Sequence, residues 1–253
     1  MIHRAILLLL ISVSLSACGP LPERPDIDIR RTGRAPGQCG GPKSESGNPP
    51  HYEVFGQRYY VMNNSDGYSE RGVASWYGKK FHGRRTSNGE IYNMHDMTAA
   101  HKTLPLPNCV RVTNLNNGKS VILHVNDRGP FKDNRIIDVS YAAAQRLDMV
   151  TAGTAFVEVS VINPGGRDTR RPAVENRPVS GAVFIQVGAF GENANARKFA
   201  GRLRQAGLPY IDVVNEKGLY KVRLGPLASV EIADTLSRRL KKLGIDSFHL
   251  VFD

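Results

Sequence analysis

Residues 163–180 read NPGGRDTRRPAVENRPVS, a run of prolines, glycines and charges with almost no apolar side chain. Such a segment cannot bury enough surface to offset the entropy of ordering it. It is therefore a linker, and it obliges the chain to fold as two bodies instead of one. Gly19–Pro50 has the same character, with seven prolines and six glycines, and predicts a disordered tether. Two regions remain, 51–162 and 181–253, each long enough for a small core.

The first seventeen residues differ from everything after them. His3 and Arg4 form a short charged lead, and Ala5 to Leu15 is an apolar run far shorter than the ~20 residues of a spanning helix. This is the pattern of an export signal. Leu15-Ser16-Ala17-Cys18 resembles the lipobox of bacterial lipoproteins, in which Cys18 becomes the lipidated first residue. Gly19 follows it, which in such lipoproteins favours the outer membrane. Export bears on the charge. The chain carries +11, and loss of the leader removes only Arg4. A basic protein invites a nucleic-acid reading, but the periplasm offers almost none. The polyanion left for a tethered body is cell-wall polymer. Cys39 and Cys109 remain after processing, and two readings stand: a periplasmic disulfide, or a buried Cys109 with Cys39 unpaired.

The first region is written in alternation. In CVRVTNL, Val110 and Val112 oppose Arg111 and Thr113; in SVILHVND, Val121, Leu123 and Val125 share a side; AFVEVSVI alternates again. Asn116-Asn117-Gly118 between the first two is a hairpin signal, and Ser140 before YAAAQRL is a helix cap. Short strands, tight turns and a small helix predict a compact β-barrel over 72–162. HYEVFGQRYYVM, within 51–71, predicts a hairpin extension of it.

The second region, 181–253, repeats itself. AVFIQVGAF leads into a helix over 193–206 with Phe199 and Leu203 four apart. GLYKVRLGPL leads into a helix over 230–243 with Ile232, Leu236, Leu240 and Leu243 on one stripe. With return strands at 210–214 and 247–251 this is βαββαβ: a four-stranded antiparallel sheet, helices on one face and the other face open for binding.

The stretch Gly72–Met149, from GVASWYG through TSNGEIYN, TAAH and HVNDRGPF to RIIDVSYAAAQRLDM, resembles the rare lipoprotein A family, a likeness that runs on to Ile162. FIQVGAF with YKVRLGP is similar to SPOR domains, and signal, barrel and SPOR domain come in that family's order. The resemblance implies a double-psi β-barrel, mainly β, followed by a small α+β SPOR domain. It implies a lytic transglycosylase cleaving peptidoglycan glycan strands stripped of stem peptides, at the division septum, from a lipid anchor on the periplasmic face of the outer membrane. The alternative is a septal lipoprotein that holds peptidoglycan without cutting it. Asp127 is implied as the catalytic acid, with Glu90 and His101 as its cleft partners. Gln186, Phe190, Arg223 and Pro226 are implied near the glycan-binding face. Two positions depart from the family pattern: Asn93 replaces an aspartate, and LPLPNC replaces a commoner LP-apolar-Gly-Thr.

The chemistry suits one carboxyl. In a lytic transglycosylase the sugar's own 6-hydroxyl attacks C1, so a single acid protonates the leaving oxygen and later takes the hydroxyl proton. Asp127 meets that need if desolvation lifts its pKa toward working pH. Neighbours in an extended segment point to opposite sides, so Arg128 should face away from that carboxyl. Glu90 would hold the sugar, and His101 would fix a loop or donate to substrate. Trp76 and Tyr77 are either sugar-stacking rings or core. Arg85, Arg128 and Arg135 either fork onto the free lactyl carboxylates of muramic acid or form a solvated basic face. His82, His95, His101 and His124 lack metal spacing, Cys109 has no thiol-nucleophile signature, and no serine sits in G-x-S-x-G. The residues imply no metal and no cofactor.

Overall fold

A computed structural model of the chain describes residues 39–132, 134–162 and 181–253. Cys18, the leader and the 163–180 linker lie outside the described residues.

β1 (His51–Val54) and β2 (Gln57–Tyr60) form an antiparallel hairpin. Its turn residues Phe55 and Gly56 both have positive φ, 51° and 77°, the pairing that matches hairpin twist. Six strands then close a barrel in the order β3-β7-β4-β6-β5-β8. They are β3 (Ser69–Tyr77), β4 (Thr98–His101), β5 (Asn108–Asn114), β6 (Ser120–Asp127), β7 (Arg135–Ser140) and β8 (Thr154–Val161). β3–β7 and β4–β6 are parallel and the other pairs antiparallel. This is the expected double-psi β-barrel, and the alternation in the sequence is what fills it. Val110, Val112, Leu123, Val125, Ile137, Val139, Val157 and Val159 form one buried cluster. α1 (Tyr141–Arg146) starts at Ser140, whose hydroxyl accepts from Ala143 N at 3.2 Å, a cap worth about 1 kcal/mol.

The second region is β9 (Val183–Phe190), α2 (Asn193–Gln205), β10 (Ile211–Glu216), β11 (Leu219–Leu224), α3 (Val230–Lys242) and β12 (His249–Phe252). The sheet order is β10-β11-β9-β12, antiparallel throughout, as the repeat predicts. Ala196, Ala200 and Leu203 of α2 share a core with Val183, Ile185, Val187, Val222 and Leu224, so the helices cover one sheet face. The stripe on α3 is turned from the expected one. Val230, Ala233, Leu236 and Leu240 are buried, whereas Ile232 and Leu243 are 39% and 47% exposed.

The tether does not run to Pro50 as the composition suggests. Residues 39–50 pack on the barrel: Cys39 is disulfide-bonded to Cys109, and Ser44 N donates to Leu106 O at 2.9 Å. Asn48 exchanges two bonds with the Leu106 backbone, at 2.8 and 2.7 Å. Proline and glycine content reports how little apolar surface a segment can bury, and it is blind to a covalent bolt and to long-range bonds.

Candidate active site

Strict alternation along β6 would send Asp127 into the core after Leu123 and Val125. It does not go there. Val125 pairs with Ala99 on β4, but Asp127 pairs with Ala100, so Asn126 is an extra residue on β6. This bulge re-aims the carboxyl to the opposite face. There it joins a row that crosses four strands, Asp127 beside Ala100, Ala100 beside Asp138, and Asp138 beside Ser75. Ala74, Ala99, Ile137 and Val139, the sequence neighbours, all face the core, as does Val125 before the bulge.

Asp127 is half-buried, and its bonds fall on one oxygen. Oδ1 accepts from Ser87 N at 2.8 Å, Ser87 Oγ at 2.6 Å and Arg128 N at 2.8 Å. Among the described residues nothing donates to Oδ2. No ion pair with Arg128 forms among them either; its side chain turns away, as alternation predicts.

Ser87 belongs to a tight loop. Thr86 N donates to Glu90 O at 2.8 Å, Gly89 N returns to Thr86 O at 2.9 Å, and Arg85 bridges to Ile91. Gly89 has φ +93°, which a side chain would strain. The loop presents Glu90 to the bulge. Its Oε1 accepts from Asn88 Nδ2 at 3.0 Å and meets His124 Nε2 at 3.1 Å, and its Oε2 accepts from Asn126 Nδ2 at 2.9 Å. Burial pushes this carboxyl up, but the bonds from His124, Asn126 and Asn88 outweigh it and bring it down to about 2. Glu90 is thus an ionised carboxylate at neutral pH.

Asp138 has the opposite character. Burial raises its carboxyl, against a hydrogen bond from Ser75 Oγ and the charges of Arg135 and Lys102. Ser87, His124, Asn126 and Asp138 were not singled out from the sequence. Asp138 had a signal, being the polar residue between Ile137 and Val139 in an alternating strand. Ser87 had none.

Several expected site residues lie elsewhere. His101 alternates back to the core side of β4, is 3% exposed, and has both nitrogens engaged. Nε2 meets Tyr68 OH at 2.9 Å, and Nδ1 accepts from Thr103 N and Leu104 N at 3.2 and 3.1 Å. Burial, with the Arg128 and Lys102 charges, holds its ring down to about 3. It fixes a loop and is not a cleft partner of Asp127. Trp76 is on the core side of β3 against Tyr141, centroids 5.5 Å apart. Tyr77 lies face to face with Tyr92 at 4.2 Å, so that face is closed to a sugar.

Of the three arginines expected to fork onto carboxylates, Arg128 is committed to the backbone. It donates to Gly47 O at 2.9 and 2.7 Å and to Leu104 O at 2.6 Å. Arg135 is 8% exposed. Arg85 is at the surface, with Nη1 on Gly89 O at 3.0 Å. In the second domain Arg223 is buried between Glu216 (2.8 Å) and Asp253 (3.1 Å). Phe190 turns to the helix layer and packs on Phe199 at 5.5 Å, because the β9–β11 register shifts at Val187, three residues before it. Gln186 stays on the open face between Arg223 and His249, and Pro226 is exposed after Gly225.

Residues 69–159 match the family model described as lytic transglycolase, and residues 179–250 match that of the SPOR domain. A Vibrio cholerae serotype O1 protein named endolytic peptidoglycan transglycosylase RlpA is 45% identical over 206 residues, covering 81% of this chain and 77% of its own. The protein of that name from Neisseria meningitidis serogroup A is 48% identical over 187 residues, covering 72% and 75%. Among solved structures, the peptidoglycan binding domain of the Bacillus subtilis cell wall lytic enzyme CwlC is 36% identical over 29% of this chain and 91% of its own, with TM-score 0.27. The chain belongs to the RlpA family of endolytic peptidoglycan transglycosylases.

Proposed function

We propose that the chain is an endolytic peptidoglycan transglycosylase whose proton donor is Asp127. The observation that carries this reading is the bulge at Asn126, which takes an acid off the core face and loads one of its oxygens with three hydrogen bonds. Oδ2 gives a proton to the bridging oxygen as the bond from muramic acid C1 breaks. The 6-hydroxyl oxygen of the same sugar then bonds to C1, and its proton returns to Oδ2. The cut leaves a 1,6-anhydro end and a free 4-hydroxyl, with no water consumed. C1 is positively charged in between, and the ionised Glu90 is the carboxylate placed to stabilise it.

The second domain holds the same polymer through its open sheet face, with Gln186 in it. Both domains then act on one strand, and the linker sets their effective concentration. Peptide-stripped glycan at the septum is the substrate, and lipid on Cys18 tethers the chain to the outer membrane. The leader and the SPOR resemblance support both statements. The test is release of soluble fragments with 1,6-anhydro ends from amidase-treated sacculi, read by mass spectrometry. Release that Asp127→Asn abolishes is expected. No release by the unaltered chain makes it a wall binder, and release by the variant moves the acid elsewhere.

A further inference from the structure

The family match to the barrel begins at residue 69, yet residues 39–48 are built against the residues that hold both acids. Cys39 is bonded to Cys109 across 70 residues, and Cys109 pairs with His124 between β5 and β6. The next residue, Gly40, donates its N–H to His124 Nδ1 at 3.3 Å in a buried bond, while Nε2 of that ring meets Glu90 at 3.1 Å. Ser44 Oγ donates to the Asn88 carbonyl at 3.3 Å. Gly47, at φ +80°, lies so close to the loop that a Cβ there would be 2.7 Å from Ser87 O. Ser87 supplies two of the bonds to Asp127 Oδ1. Arg128 pins the far end through Gly47 O and Asn48 Oδ1.

The chemistry of the imidazole gives this contact a consequence. A neutral ring has one N–H and one lone pair. With Gly40 N–H occupying the Nδ1 lone pair, the hydrogen belongs on Nε2, where it is donated to Glu90. The other tautomer would set a lone pair against an ionised carboxylate and withdraw the bond that holds it. Sequence position places Cys39 within a Pro/Gly-rich segment, and the disulfide is what keeps Gly40 at the ring.

We propose that residues 39–48 are a positioning strap for the catalytic pair, fastened by the Cys39–Cys109 disulfide, so that the oxidised chain is the competent one. This rests on the reading of Asp127 and Glu90 given above. Release is by thiol–disulfide exchange: a dithiol gives two electrons and two protons to the Cys39 and Cys109 sulfurs and leaves as its own disulfide.

The experiment uses the full mature chain, reduced in place with dithiothreitol and reoxidised with oxidised glutathione, beside Cys39→Ser. Three quantities are followed: near-UV circular dichroism, the ¹⁵N shifts of the His124 ring, and the rate of fragment release. The expected result is a folded barrel whose His124 loses its single Nε2–H tautomer. Release should slow by about tenfold or more, the scale on which misplaced catalytic groups act, and recover on reoxidation. An unchanged His124 spectrum overturns the proposal. So does a changed spectrum with an unchanged rate, or loss of the barrel on reduction, which would make the bond a plain staple. If the oxidised chain releases no fragments, the transglycosylase reading fails, and the His124 spectrum still decides whether the strap sets Glu90's partner.

Discussion

Asp127 and Asp138 stand on one face of the barrel with only Ala100 between them, and their surroundings differ. Neighbouring strands are about 4.8 Å apart, so the two backbones are separated by roughly twice that. Asp127 has one oxygen loaded and one without a donor among the described residues; Asp138 is tied to Ser75 and partly desolvated. Asp127→Asn should slow fragment release by about 10²–10⁴-fold, the contribution of a positioned general acid. Sedimentation of the variant with sacculi should be unchanged.

Asp138→Asn should be benign for catalysis and visible in stability. Burial raises the folded pKa of Asp138 above its ordinary value of 3.8. An acid raised on folding costs nothing below its unfolded pKa, where both states are protonated, and penalises the folded state increasingly as pH climbs through the folded value. The amide carries no such penalty. Thermal midpoints of the variant should match the parent near pH 3.5 and exceed it at pH 7, with release rates equal within a few-fold.

Glu90 gives the reverse sign. Its folded value of about 2 is below the ordinary 4.5, so its bonds to His124, Asn126 and Asn88 stabilise the fold above pH 4.5. That contribution is lost as pH falls through 2. The side chain is 40% exposed, and solvent screening reduces the contribution to on the order of 1–2 kcal/mol. Glu90→Gln should lower the urea midpoint at pH 6, and the gap to the parent should close by pH 2.

His101 was implicated by its motif and is placed elsewhere by its face. Removing the ring strands two backbone N–H groups, of Thr103 and Leu104, in a buried loop. Unsatisfied donors cost about 1–3 kcal/mol each, so His101→Ala should lose about 2–4 kcal/mol in chemical denaturation. Release per folded molecule should hold within a few-fold, and its pH profile between pH 5 and 8 should match the parent's, since the parent's ring is held neutral down to about 3.

The strands that fill the barrel were legible because burial on one face writes itself as a period of two. Val110 and Val112, or Leu123 and Val125, need no tertiary knowledge to be paired. The same rule misleads wherever a bulge inserts a residue. Asp127, at an odd position after Leu123 and Val125, reads as core-facing until the extra Asn126 is seen, and Phe190 reads as open-face until the β9–β11 shift is seen. Cys39–Cys109 and the Arg128–Gly47 bonds join positions 70 and 81 apart, and nothing local announces them. What a window of sequence cannot carry is a contact whose partner lies outside it.

The second domain allows a clean separation of folding from binding on one sheet. Gln186 and Arg223 are register partners on adjacent strands. Arg223 is 6% exposed and satisfies Glu216 and Asp253 together. Truncating it takes the guanidinium from Asp253, leaves Glu216 with Lys221 alone and empties a buried position in the sheet, so its cost falls on folding. Gln186 makes no comparable bond among the described residues, and its side chain stands on the uncovered face. Gln186→Ala should therefore leave the thermal midpoint of the isolated second transition within a degree or two while weakening sedimentation with peptide-stripped sacculi. Arg223→Ala should lower that midpoint first, and restoring stability with a ligand-free osmolyte such as sucrose should restore its binding but not that of Gln186→Ala. If both variants bind equally poorly with unchanged midpoints, Arg223 is part of the binding face itself and its two carboxylates are partners in recognition.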